Sequence, residues 1–259
     1  MAFTVAKKTE TLALQVNGAW AEIIFSGGHK HNPFSIERMQ ELCRLVDEVN
    51  ALENVKILTL YGGPEKSFSA GGDFNEVHKF NTADEVYVWI DSITDLYRKI
   101  VNSKKVTVAA IDNHAIGLGL QIALCCDYRL MSSSASVSMP ELEIGVSCIF
   151  GAAMLEFLIG RNHMQELVFL CEKLDAKKAF DLGIVHEVVE GDILNRLGEI
   201  VGKVSNYNSI PLINTKIFIS QKFSDLLANI ADYAKKAHAE SFANKTSYSS
   251  MTRILGKNR

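Results

Sequence analysis

The chain has 259 residues, of which 47% are hydrophobic and 22% charged, a balance that excludes general disorder and fits one large domain with an appendage. Its 27 Lys and Arg against 30 Asp and Glu give a net charge of -3, which offers no broad attraction to a nucleic-acid backbone or an anionic membrane. A local basic pocket for one polyanionic small molecule remains compatible with that charge.

Residues 11–16 alternate apolar and polar side chains, Asn17-Gly18 accepts positive φ at both corner positions, and residues 19–25 continue as extended-type sequence, so the spacing predicts an N-terminal hairpin. After a loop over 26–33, Ser35 is placed to cap a helix whose Met39, Leu42, Cys43, Val46 and Val49 recur at helical spacing. Residues 55–61, 106–111 and 128–131 read as strands separated by enough chain for helices, a strand-helix rhythm. Over 177–202 the pattern is helix, stop at Gly183, a short extended piece at 185–189 and helix again, with Asp175 as N-cap. From Pro211 onward the chain reads as helical. Strand signals cease near residue 200, which divides an α/β core over 1–200 from a helical region over 201–259.

The five cysteines (Cys43, Cys125, Cys126, Cys148, Cys171) are scattered through apolar segments without a CxxC pair, so they read as buried thiols in a reducing compartment, not as a disulfide framework or zinc site. The longest apolar run, 115–126, is interrupted by Gln121 and falls below the roughly 20 residues that cross a bilayer. A cytoplasmic location is expected. His29 and His31 flank Lys30 without acidic or cysteine partners, which reads as a loop feature and not a metal site. Lys235-Lys236 is either a solvated helix face or a contact to a ligand phosphate across a subunit boundary.

Three segments have the composition of a site. Ser67-Phe68-Ser69-Ala70-Gly71-Gly72-Asp73-Phe74 is a small-residue loop after a strand, where backbone N–H groups can face a ligand oxygen; a plain tight turn is the alternative. Ala115-Ile116-Gly117-Leu118-Gly119-Leu120-Gln121 follows a strand and opens an apolar helix, whose start leaves free N–H donors. Its third glycine position is Ile122, which rejects a dinucleotide fingerprint. Ser138-Met139-Pro140-Glu141-Leu142-Glu143 holds Glu141 between apolar residues, a setting that desolvates a carboxyl group; Glu143 is the competing candidate. Two backbone donor elements and one semi-apolar glutamate are the equipment for stabilising an enolate from a thioester.

In this order the three segments resemble the crotonase (enoyl-CoA hydratase/isomerase) superfamily over nearly the whole chain. Within it the chain is similar to the carboxymethylproline synthases of carbapenem biosynthesis, through His31-Asn-Pro-Phe-Ser35, Tyr61-Gly-Gly, the run from Ser67 to Val77, Trp89-Ile-Asp91, Met139-Pro-Glu-Leu142 and Ile213-Asn-Thr-Lys216. The resemblance implies an α/β fold, a spiral of ββα units with a C-terminal helical trimerisation region, acting as a homotrimer or dimer of trimers. It implies a coenzyme A thioester as substrate, no tightly bound cofactor and no metal. The carbonyl oxygen would be held by the N–H groups of Gly72 and Leu118, the adenine would meet the backbone of Ala70, and Lys30 is a candidate for the CoA phosphates.

Hydratases of the superfamily carry two catalytic glutamates; Glu141 matches the second, but Gln121 stands at the first and has no carboxylate to exchange a proton. The synthase resemblance implies that malonyl-CoA loses CO₂ to give the enolate, which attacks pyrroline-5-carboxylate or a similar cyclic imino acid before the thioester is hydrolysed. Glu141 would orient the malonyl group and later activate water. Leu118 replaces a methionine of that pattern, which reshapes the pocket wall while leaving the backbone donor. Trp89 would wall the amino-acid pocket or be a core tryptophan, Gln121 would bind a substrate carboxylate or be a satisfied core amide, and His238 would reach the imino acid or be a solvated helix histidine. The rival expectations are a crotonase that only decarboxylates, isomerises, hydrates or hydrolyses an acyl-CoA, and a non-catalytic acyl-CoA-binding member of the fold.

Overall fold

A computed structural model of the chain describes residues 4–243, 246–254 and 256. The chain opens with a three-stranded antiparallel meander, β1 (Thr4–Lys8), β2 (Leu12–Asn17) and β3 (Trp20–Phe25). Asn17 pairs with Trp20, so the hairpin corner is Gly18-Ala19, one residue later than the sequence suggests. Gly18 alone takes positive φ, at 58°, because a Cβ disfavours that region at the alanine. Helix α1 (Ile36–Ala51) is capped as expected, the Ser35 side chain accepting from Arg38 N. Met39, Leu42, Val46 and Val49 form its buried stripe, joined by Leu45, while Cys43 lies half-buried at its edge.

The strand-helix rhythm then builds a parallel sheet. Strand β4 (Ile57–Tyr61) lies parallel to β3 and is followed by α2 (Phe74–Val77) and α3 (Ala83–Val101), the latter started by a Thr82/Glu85 capping box. Next come β5 (Val106–Ile111), β6 (His114–Ile116), α4 (Leu118–Leu124), β7 (Tyr128–Ser132) and β8 (Ser136–Ser138). Three times the chain leaves a main-sheet strand and steps into a second layer: after β4 Ser69 bridges Ala115, after β5 comes β6, and after β7 comes β8, which pairs with β6. These short second-layer segments are too brief to announce themselves by alternation, yet they carry the site.

Helices α5 (Ile149–Ile159) and α6 (Arg161–Leu170) precede β9 (Leu174–Asp175), which closes the small sheet, and α7 (Ala176–Asp181), which Asp175 caps. Strand β10 (Glu187–Val189) completes the seven-stranded sheet, in the order β1-β2-β3-β4-β5-β7-β10. Alternate residues of its strands face opposite ways. Leu58, Leu60, Ala109 and Ile111 join the main core. Ile57, Tyr61, Val108 and Ala110 face the other side, which α8 (Ile193–Ser205) covers with Ile193, Leu197 and Val201. A boundary at residue 200 therefore falls inside a helix that seals the sheet. Strands end before the core does, and the chain changes layer only at α9 (Ser209–Ala243), which packs on α3 and α5 and leads to α10 (Thr246–Ile254). No helix among the described residues is long and apolar enough to cross a membrane.

Glu22 lies on the α8 side of β3, 4% exposed, with Oε1 lacking a partner among the described residues. Burial pushes its carboxyl up to about 7 from 4.5, against a hydrogen bond with Thr59. Between those values the folded chain binds more protons at this group than the unfolded chain, so stability falls as pH rises through the window and stays lost above it. Glu22→Gln is expected to raise Tm at pH 8 by about 2–4 °C. The gain should shrink to nothing near pH 4.5, the ordinary value of the carboxyl, which thermal melts across pH check.

Candidate active site

The glycine loop after β4 is held by the segment His31-Asn-Pro-Phe-Ser35. Asn32 is fully buried at φ 47°, and its Nδ2 donates to Gly62 O and Ser67 O, both at 2.7 Å. The buried Arg38 guanidinium lies against the Phe34 ring and donates to Pro33 O, Thr11 O and Asn32 Oδ1. Backbone bonds from Ala70 N to His31 O, Phe34 N to Gly71 O and Asp73 N to Phe34 O finish the clamp. A Cβ on Gly62 would lie 2.4 Å from Ser67 O, so the Tyr61-Gly-Gly run permits the chain to fold back this closely.

The second element meets the first edge on. Ile116 N donates to Ser69 O and Ser69 N to His114 O. Gly119, on the first turn of α4, sits so near that loop that a Cβ would stand 2.3 Å from Ser69 O. Gly71 has φ 103° and Gly117 φ 52°, conformations open to glycine. These turns bring Gly72 N and Leu118 N to adjoining edges: a Cβ on Gly71 would lie 3.8 Å from Leu118 N. Neither N–H donates in any hydrogen bond among the described residues. Leu118 is the first residue of α4, where helix geometry leaves the N–H without an intrahelical acceptor.

Both donors open on a cavity of about 350 Å³ that Glu141 also lines. Glu141 is 7% exposed. Its Oε1 accepts from Gln121 Nε2 at 2.6 Å, while Oε2 has no partner among the described residues. Burial pushes this carboxyl up to about 7, against the pull of its own backbone N–H, Gln121 and Cys148. A group so placed exchanges protons near neutral pH. Glu143, the competing candidate, is exposed at the rim.

Across the cavity stand Trp89 from α3 and His238 from α9, ring centroids 5.9 Å apart and edge to face. His238 is buried, not solvated. Its Nδ1 donates to Ala234 O at 2.7 Å, which leaves Nε2 as an acceptor, and burial lowers its pKa to about 4, so the ring is neutral. Trp89 Nε1 is buried without a partner among the described residues. Gln121 also lines this cavity; its Oε1 accepts from Tyr97 Oη at 2.6 Å and its Nε2 donates to Glu141, so both ends of the amide have partners inside the protein.

Ala70 lies on the cavity edge, and Ser67 N donates to Lys30 O, which brings the exposed Lys30 beside the same loop. The geometry adds residues that the sequence did not single out. Burial first, then the charges of Lys173, His31 and Lys30, lower the pKa of His114, which favours its neutral form and leaves Lys30 and Lys173 as the standing positive charges near it. Tyr97 and Cys148 approach Glu141 from behind, through contacts that no local motif encodes. Cys125 and Cys126 are buried, and burial holds both thiols protonated, the second at about 12. Lys235 pairs with Asp91 at 2.6 Å, joining α9 to α3. Among the described residues no group of three or more His, Cys, Asp or Glu side chains could hold a metal ion.

Comparison with known proteins agrees with this geometry. Residues 15–258 match the family model described as Enoyl-CoA hydratase/isomerase. A carboxymethylproline synthase of Pectobacterium carotovorum subsp. carotovorum is 39% identical over 230 residues, 88% of this chain and 92% of that protein. A short-chain-enoyl-CoA hydratase of Clostridium acetobutylicum is 26% identical, covering 95% of each. Among solved structures, ThnE from S. clavuligerus superposes with a TM-score of 0.78 at 38% identity, over 87% of this chain and 99% of its own. The enoyl-CoA hydratase from Bacillus halodurans reaches 0.88 at 19% identity, over 94% and 99%, a likeness of fold.

Proposed function

The chain belongs to the enoyl-CoA hydratase/isomerase family, and from that premise we propose that it is a carbon-carbon bond-forming synthase acting on malonyl-CoA and pyrroline-5-carboxylate or a close cyclic imino acid. The observation that carries this reading is one buried carboxyl among the described residues of the cavity: Glu141 shares that cavity with the free N–H groups of Gly72 and Leu118, and its neighbour is the amide of Gln121. Two-carboxylate water addition lacks its second group here.

Loss of CO₂ needs no base. The C–C bond of the malonyl group breaks, its electron pair passes to the thioester carbonyl, and the two N–H donors hold the enolate oxygen. Protonated Glu141 meets the malonyl carboxylate through its unpartnered oxygen. The enolate carbon then attacks the protonated imine carbon, the π pair of its C=N bond passes to the ring nitrogen, and the C–N single bond of the ring remains. The neutral His238 Nε2 and the Trp89 N–H give this end of the cavity one acceptor and one donor for the imino acid. In its ionised form Glu141 takes a proton from water, which adds to the thioester carbonyl and releases CoA. Lys30 and Lys173, near His114, would supply positive charge for the CoA phosphates, and Ala70 would offer its backbone to the adenine.

The reading includes assembly through the 201–259 segment into trimers or pairs of trimers. Ile210, Phe218 and Tyr233 on α9 are 76%, 79% and 66% exposed in the single chain, an apolar surface that a second copy would cover.

Mass spectrometry of reactions containing malonyl-CoA, with and without pyrroline-5-carboxylate and beside a crotonyl-CoA control, tests the proposal. A carboxymethylproline mass that requires both substrates is expected. Acetyl-CoA as the sole product would leave a decarboxylase, and hydrated crotonyl-CoA would return the chain to the hydratases.

A further inference from the structure

The orientation of the Gln121 amide and the protonation state of Glu141 are tied together. At 2.6 Å from Glu141 Oε1, the amide must present Nε2 if the carboxyl is ionised. Presenting Oε1 there would oppose two acceptors unless the carboxyl carried a proton. What fixes the amide lies one residue further back. Tyr97, on α3, is fully buried, packed edge-on against Phe150 at 5.4 Å. Its hydroxyl proton has one acceptor among the described residues, Gln121 Oε1 at 2.6 Å. An unmade hydrogen bond in such surroundings is costly, so the hydroxyl holds Oε1 toward itself and Nε2 toward Glu141.

We propose that Tyr97 is a positioning residue: its hydroxyl locks the Gln121 amide in the one orientation that donates to Glu141, and so sets the pH at which Glu141 becomes a base. The proposal rests on Glu141 being the group that acts on the thioester. Tyr97 itself never ionises in the working range, because burial, then the nearby Cys125, Glu141 and Cys148, push its pKa well above the ordinary value. The groups facing Glu141 are Tyr97 through Gln121 from α3 and α4, the protonated Cys148 thiol at the start of α5, and the neutral His238 of α9 across the cavity, with Glu143 at the rim. None is a fixed cation, so the Gln121 donor is the neighbour whose loss Glu141 feels most among its side-chain hydrogen bonds.

Tyr97→Phe keeps the ring and deletes the lock. The amide is then free to turn Oε1 toward a protonated Glu141, and the midpoint of that carboxyl moves up. A rise of one unit cuts the ionised fraction at pH 7 from about one half to about one tenth, and CoA release in the hydrolytic step falls about fivefold. The acid limb of the pH profile should move up with it, while the KM for malonyl-CoA should fall by no more than about twofold, because the protonated carboxyl that meets the malonyl group becomes the more abundant form. Titrating the ¹³C-labelled Glu141 carboxyl, assigned against Glu141→Gln, reads the same displacement without any turnover. Gln121→Met should show the displacement alone, and adding Tyr97→Phe to it should change nothing further. A folded Tyr97→Phe protein with the wild-type midpoint and profile would overturn the proposal, as would an effect that persists undiminished in the Gln121→Met background. If the wild type leaves malonyl-CoA untouched while the Glu141 midpoint still shifts in Tyr97→Phe, the lock stands and the synthase reading falls.

Discussion

Glu141→Gln is expected to lower thioester turnover by about 10²–10⁴-fold, the range that a positioned acid or base contributes, while leaving thioester binding intact. The substitution keeps the shape of the side chain, and the new amide oxygen can still accept from Gln121 Nε2, now 2.6 Å from Glu141 Oε1. Among the described residues it removes the one buried carboxyl that lines the cavity, since Glu143 lies at the exposed rim. A control separates lost chemistry from lost fold. Burial raises the Glu141 pKa to about 7 from 4.5, so ionisation costs folding free energy as pH rises through that window. The amide variant escapes this cost and should melt higher than the wild type above pH 7 and equally near pH 4.5. CoA release, acetyl-CoA binding by calorimetry and thermal melts make the set; undiminished release would remove Glu141 from the chemistry.

Gly119→Ala is expected to cost about 10²–10³-fold in turnover through the backbone alone, the loss seen when an oxyanion donor is displaced. The added Cβ would stand 2.3 Å from Ser69 O and 2.8 Å from Ser69 C, both backbone atoms, so the loop and α4 must separate. That separation strains the bond from Ile116 N to Ser69 O and moves Gly72 N away from Leu118 N. Overpacking of this kind destabilises by about 1–3 kcal/mol, so a lower Tm should accompany the loss. Gly72→Ala offers the contrast: its Cβ meets only Trp89 and Val77, at 3.6 and 3.9 Å, and should leave Tm unchanged. If Gly119→Ala retains full turnover, the paired N–H groups are not what holds the enolate oxygen.

The sequence alone determined those parts of the molecule whose causes are local. Ser35 caps α1 because a hydroxyl three residues before an open N–H can satisfy it in any context. Strand β5 spans the residues its β-branched run predicts, and Glu141 announces a desolvated carboxyl by the apolar residues beside it. The glycines at 71, 117 and 119 mark places where backbone must turn or approach closely. Tertiary structure decided the rest, where the cause is a partner far along the chain. The short strands β6, β8 and β9 exist only because they pair with one another. Residue 200 looked like an end of the core because strands stop, but α8 is held there by the sheet face it covers. The engagement of Gln121 by Tyr97, the gathering of Lys30 and Lys173 near His114, and the burial of His238 all depend on which helices and loops pack together. Hydrogen bonding and desolvation act over a few ångströms in space, and the spacing of residues along a chain carries no record of that distance until the fold has closed it.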